Sequence, residues 1–138
     1  MVKPRVLTIL VYFLSKYLAF YVFLMFKNND FTLVRFSALR GFEDVFFYLW
    51  MFLFLPIVCF LVLGAPLYSA LRNVRSPVLL LMILSGVVVL EYFMYTYLAS
   101  QANWVNGIYN GLISVLLLFL FFYKRIKQVV ISPRRIGE

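Results

Sequence analysis

The stretch Pro77–Leu98, PVLLLMILSGVVVLEYFMYTYL, constrains the fold more than any other part of the chain. A helix needs about 20 mostly apolar residues to cross a bilayer, and this stretch supplies them. Near its end it carries one acid, Glu91, with apolar neighbours on both sides. A carboxylate at membrane depth costs roughly 2.5–3.5 kcal/mol on insertion scales. Glu91 is therefore expected to face other helices and to meet a base. Lys16 is the one base inside another long apolar stretch. The sequence thus predicts an all-α polytopic membrane protein, a four-helix bundle arranged around a Lys16–Glu91 pair.

Composition supports this reading. Of 138 residues, 65% are hydrophobic and 20% aromatic, and the mean hydropathy is +0.98. A soluble domain has less apolar material, and a core this small could not hide the excess from water. A single membrane domain covering 1–138 follows. There is no His and only one Cys, Cys59. A Cys/His zinc site, a CxxC redox pair and an intramolecular disulfide are therefore excluded within one chain. No cofactor is expected, and Cys59 reads as a small packing residue. The net charge of +8 does not point to nucleic acid, because the bases sit at helix ends and no nucleic-acid-binding motif accompanies them. Anionic lipid headgroups account for them more simply.

Four spans are predicted, at about 5–26, 45–63, 77–98 and 104–123. The first follows Lys3 and Arg5 and is too long, and too interrupted by Lys16, for a cleaved signal. The loop KNNDFTLVRFSALRGFED after it has apolar residues at helical spacing and Asp30 as a plausible N-cap, which predicts a short interfacial helix. Within that loop Arg40 and Asp44 stand four apart, as an ion pair requires, and Arg35 and Arg40 are candidates to meet an anion or a partner. Pro56 predicts a kink in the second span, and Gly64 and Pro66 predict its end. The second loop, about 65–76, then leads to Ser76-Pro77, a favourable helix start. The uncharged ASQAN makes the last two spans an antiparallel hairpin. Tyr92, Tyr95, Tyr97, Trp104 and Tyr109 cluster near it as an interfacial aromatic belt. The tail 124–138 is strongly basic.

Lys and Arg favour the cytoplasmic side. They crowd the N-terminus, the second loop and the tail, whereas ASQAN has none. Both termini are expected in the cytoplasm, most simply that of a bacterium with the chain in its inner membrane. With a rise of about 1.5 Å per residue, Lys16 and Ser114 fall near the midplane. Glu91 and Asn110 fall roughly 5 Å further out by the same rise. A polar cluster of Lys16, Glu91, Asn110 and Ser114 is predicted, with Tyr12 and Tyr95 one turn away. Gly107 and Gly111 form a GxxxG on the face that carries Asn103, Asn110 and Ser114, which predicts a close helix–helix approach.

These features narrow the function without fixing it. Without His, and with one carboxylate inside the membrane, an enzyme is not expected. The expected function is a non-catalytic membrane subunit or accessory protein, acting through helix–helix contacts with another integral membrane protein or with copies of itself. The alternative is a small oligomeric carrier or channel that uses Glu91 and Lys16. A third is a binder of a foreign membrane protein, as the four-span immunity proteins of pore-forming bacteriocins are.

Overall fold

A computed structural model of the protein describes residues 4–29, 40–100 and 102–130. Every regular element in them is helical. Helix α1 spans Val6–Asn28. Helix α2, Phe42–Leu49, passes through a π-helical segment, Trp50–Phe54, into α3, Leu55–Asn73. Helix α4 spans Pro77–Leu98 and α5 Trp104–Val130. Because α2, the π segment and α3 are continuous, the described residues form four helices long and apolar enough to cross a membrane. The predicted interfacial helix and Arg35 lie outside the described residues.

The helices pack in a ring in which α1 touches α3 and α5, and α4 touches α3 and α5. Helices α1 and α4 therefore oppose each other across the bundle axis. Contacts fix the directions. Tyr21 meets Met51 while Tyr17 meets Cys59, so α1 and the second span are antiparallel. Lys16 reaches Glu91 while Phe20 packs on Tyr95, so α1 and α4 run parallel. The dry core comes from stripes at helical spacing. Ile9, Phe13 and Phe20 lie on α1; Leu63, Leu67 and Leu71 on α3; Leu80, Leu84 and Val87 on α4; Leu118, Phe122 and Ile126 on α5.

The second span departs from the sequence expectation at both ends. Gly64 and Pro66 do not end it; the helix continues to Asn73, and the loop shrinks to residues 74–76. A Pro does remove a helical hydrogen bond, but non-helical backbone would leave more groups unsatisfied in an apolar setting. Leu63, Leu67, Ala70 and Leu71 also carry the buried stripe past the Pro and hold the extra turns to the core. The fourth span likewise runs on, to Val130.

Around Pro56 the helix widens rather than merely bending. The Leu55 N–H bonds to the Trp50 carbonyl, five residues back. In that register the next carbonyl, Met51, would look to residue 56, and Pro has no N–H. The Tyr21 hydroxyl fills the gap, donating to Met51 O at 3.1 Å. A polar side chain on a neighbouring helix thus satisfies backbone that a π-bulge and a Pro expose.

The ends of the helices are capped in several ways. Ser76 Oγ accepts the Leu79 N–H, as an N-cap Ser does. Asn103 Oδ1 accepts the Asn106 N–H at the start of α5, so Asn103 is a cap rather than part of the buried polar face. Asn29 closes α1 in the left-handed conformation that Asn tolerates better than most residues.

Candidate functional site: a polar cluster in the centre of the bundle

Lys16 and Glu91 meet in the middle of the bundle. Lys16 Nζ pairs with Glu91 Oε1, and the side chains are 0% and 1% exposed. The pair crosses the bundle axis, linking the two helices that are not ring neighbours. Ser114 on α5 donates its hydroxyl to Glu91 Oε2. Since the Ser114 proton is used there, the 2.9 Å contact with Tyr12 must have the Tyr12 hydroxyl as donor. Tyr12 also lies 3.3 Å from the Ser114 carbonyl. On the other side, Lys16 Nζ stands 4.2 Å from the Tyr17 ring centroid, a cation–π contact strengthened by the burial of both side chains. Tyr17 OH in turn lies 3.1 Å from Cys59 Sγ on α3. One continuous chain, Tyr12–Ser114–Glu91–Lys16–Tyr17–Cys59, therefore touches all four spans.

The helical repeat places these groups. Tyr12 and Lys16 are four apart on α1, and Gly107, Asn110 and Ser114 follow one face of α5, all of them buried. Both carboxylate oxygens are occupied, one by an ammonium and one by a hydroxyl. This is the satisfaction that a buried ion pair needs to offset its desolvation cost. The arrangement is closed: Tyr12, Lys16, Asn110 and Ser114 are all 0% exposed.

Not every predicted member joins the chain. Asn110 is buried at the centre, yet its amide oxygen and nitrogen have no hydrogen-bond partner. Tyr95 takes part through its ring, which packs on Phe20 at 5.0 Å and Tyr17 at 6.3 Å. It does not bond to Lys16 or Glu91. Because Tyr95 points inward, it also does not belong to the exposed aromatic belt. That belt is made by Tyr92, Phe93, Tyr97 and Trp104, which pack edge to face and in stacks around the α4–α5 turn.

The two glycines of the GxxxG differ. A Cβ at Gly107 would collide with Thr96 Oγ1 and come within 2.8 Å of the Tyr92 ring, so α4 packs on α5 here at a distance that leaves no room for a side chain. At Gly111 a Cβ would meet nothing within 4 Å; it makes no helix contact that only Gly permits. The Arg40–Asp44 pair is also corrected. The Asp44 carboxylate accepts the backbone N–H of Arg40 at 2.9 Å, and among the described residues the only ion pair is Lys16–Glu91. Asp44 thus serves the start of α2, where an acid also suits the helix dipole.

Three residues outside the predicted polar cluster prove structural. Tyr17 and Cys59 extend the polar chain. Arg125, counted there with the basic tail, is 4% exposed. Its Nε and Nη2 donate to the Leu71 and Val74 carbonyls, at 2.5 and 3.0 Å, at the C-terminal end of α3. The available signal was its spacing: Leu118, Phe122, Arg125 and Val129 share the buried face of α5.

The fold and its centre define a class: a four-helix bundle of membrane-spanning length and composition, bolted by one buried ion pair. Comparison with protein-family models, with curated proteins and with solved structures found no match to this chain.

Proposed function

We propose that the protein is a non-catalytic integral membrane subunit or accessory protein that works through contacts between its lipid-level surface and another membrane protein. The observation that carries this reading is the division of labour within the bundle. The ionisable centre is sealed and fully committed, while residues 42–54 of the second span have no buried side chain. Phe42, Phe46, Phe47, Leu53 and Phe54 are all exposed there. Large, rigid aromatic side chains give much contact area for little entropy lost, as suits an interface. A carrier needs its charged groups to change partners or accessibility, and a closed Lys16–Glu91–Ser114 arrangement opposes that. Both termini face the cytoplasm in this proposal. Arg5, Arg72, Arg75, Lys124 and Lys127 gather at one end of the helices, and no described carboxylate lies there.

Extraction in mild detergent tests the proposal. A stoichiometric unlike membrane subunit should co-purify, and replacing Phe46, Phe47 and Phe54 together with Ala should release it while the bundle stays folded. A homogeneous homo-oligomer that conducts solute or protons in proteoliposomes would overturn it. One observation favours the carrier as the second reading: the unpartnered Asn110 amide, buried one helical turn before Ser114 on α5. On that reading Glu91→Gln leaves the fold intact and abolishes pH-dependent flux.

A further inference from the structure

The second span outreaches its neighbours at the end that carries the α4–α5 turn. From Phe42 to Asn73 it is 32 residues long, or about 48 Å at a rise of about 1.5 Å per residue, against a hydrocarbon core of about 30 Å. Contacts between helices show where the excess lies. Trp50 Nε1 donates to the carbonyl of Leu98, the last residue of α4, at 3.3 Å. All of α2 therefore stands beyond that level. Phe13 packs on Phe60 and Tyr21 on Phe52, and the same antiparallel register brings Asn28, the last residue of α1, level with Val45. Phe42, Glu43 and Asp44 reach past both ends. Helix α2 packs chiefly on the π segment that follows it, and none of its side chains is buried.

We infer that α2 is the docking site for a basic amphipathic segment of the unlike membrane subunit proposed above, lying outside the hydrocarbon. The inference rests on that reading of the protein and carries part of the contact past the lipid. Phe42, Val45, Phe46, Phe47 and Leu49 are exposed on α2. At this level they would meet headgroups and water instead of acyl chains, and an apolar patch left so placed marks an interaction surface. Phe42, Phe46, Trp50 and Phe54 recur every four residues, and the rings of Phe46 and Trp50 each lie 6.4 Å from that of Phe54. Stacked rings of this kind give a rigid contact face. Charge selects the occupant. Asp44 caps the turn at Arg40, but Glu43 makes no hydrogen bond or ion pair among the described residues. An anionic lipid surface attracts bases, not two acids. A second copy is disfavoured as well, because chains that share an orientation in one membrane pair about a two-fold axis along its normal, which sets α2 beside α2 in parallel. Each tip then brings two acids, Glu43 and Asp44, against one base, Arg40, and like net charge meets like. A segment with apolar residues on one side and Lys or Arg aligned with Glu43 meets both demands.

The test places a photoreactive benzoylphenylalanine at position 42 of the full chain and cross-links it in native membranes. The adduct should be with an unlike membrane protein, through a segment that contains Lys or Arg. Glu43→Lys should lower the adduct yield about tenfold or more, as like charges opposed across an interface do, and should leave the melting temperature of the purified protein essentially unchanged. Reversing the cross-linked base of the captured protein to Glu should restore the adduct with Glu43→Lys. A yield that Glu43→Lys does not change overturns the inference, as does a reciprocal reversal that restores nothing. Adducts only with lipid, with a second copy of the chain, or with the chain's own residues 30–39 overturn it equally. If an unlike subunit co-purifies in mild detergent but position 42 does not capture it, this inference fails and the subunit reading stands; if no unlike subunit co-purifies, both fail.

Discussion

At the scale of single residues, Lys16 and Glu91 show why a buried ion pair is best judged by what its loss leaves behind. Removing one partner strands a charge in an apolar interior and costs about 3–5 kcal/mol, whereas replacing both is often nearly neutral. Glu91→Gln and Lys16→Met should each strongly reduce folded yield, and the double variant should recover much of it; single losses that simply add in the double variant would show that the two groups are not coupled. Ser114 and Asn110 make a sharper contrast. Ser114→Ala removes the donor to Glu91 Oε2 and the acceptor of Tyr12, and should cost about 1–3 kcal/mol. Asn110→Ala, at an equally buried site with no bond to lose, should cost clearly less. Thermal melts of the two in the same detergent decide this. The pairing of Lys16 with Glu91 was legible from the chain because both are charges in apolar surroundings. Tyr17 and Cys59 were not, since both are ordinary occupants of such surroundings.

At the scale of elements, the second span carries the most information. A π-bulge, Pro56 and a Tyr hydroxyl from α1 form one unit around the Met51 carbonyl. Tyr21→Phe should cost about 1–3 kcal/mol by leaving that carbonyl unpaired. Restoring the backbone donor with Pro56→Ala should shrink this cost, and a cycle of the four forms by chemical denaturation measures the coupling. Between α4 and α5 the close approach depends on one glycine. Gly107→Ala should destabilise by about 1–3 kcal/mol, as overpacking does, while Gly111→Ala should be tolerated, by the same melts. Pro66 shows the limit of local rules. Its sequence signal for an ending was outweighed by the buried Leu63, Leu67 and Leu71, which no local rule takes into account.

At the scale of the molecule, four antiparallel neighbours form a ring, with a polar bolt across its diagonal and a basic rim at one end. The up-and-down order makes this geometry: each span packs on the next, and the first and last close the ring. The orientation proposed above predicts an accessible α4–α5 turn on the outer face. In a Cys59→Ser background, Asn103→Cys should react with a membrane-impermeant maleimide in intact cells. Labelling seen only after permeabilisation would reverse the orientation.

Read from the chain alone, the four long apolar helices and the identity of the central pair were accessible, because the cost of burying charge and bare backbone in apolar surroundings permits few alternatives. Helix limits, the inward turn of Tyr95 and the isolation of Asn110 were not. Each depends on which face of one helix meets which face of another, and that is set by packing between residues far apart in sequence. Residue spacing carries the period of a helix, but the choice of neighbour belongs to the assembled bundle.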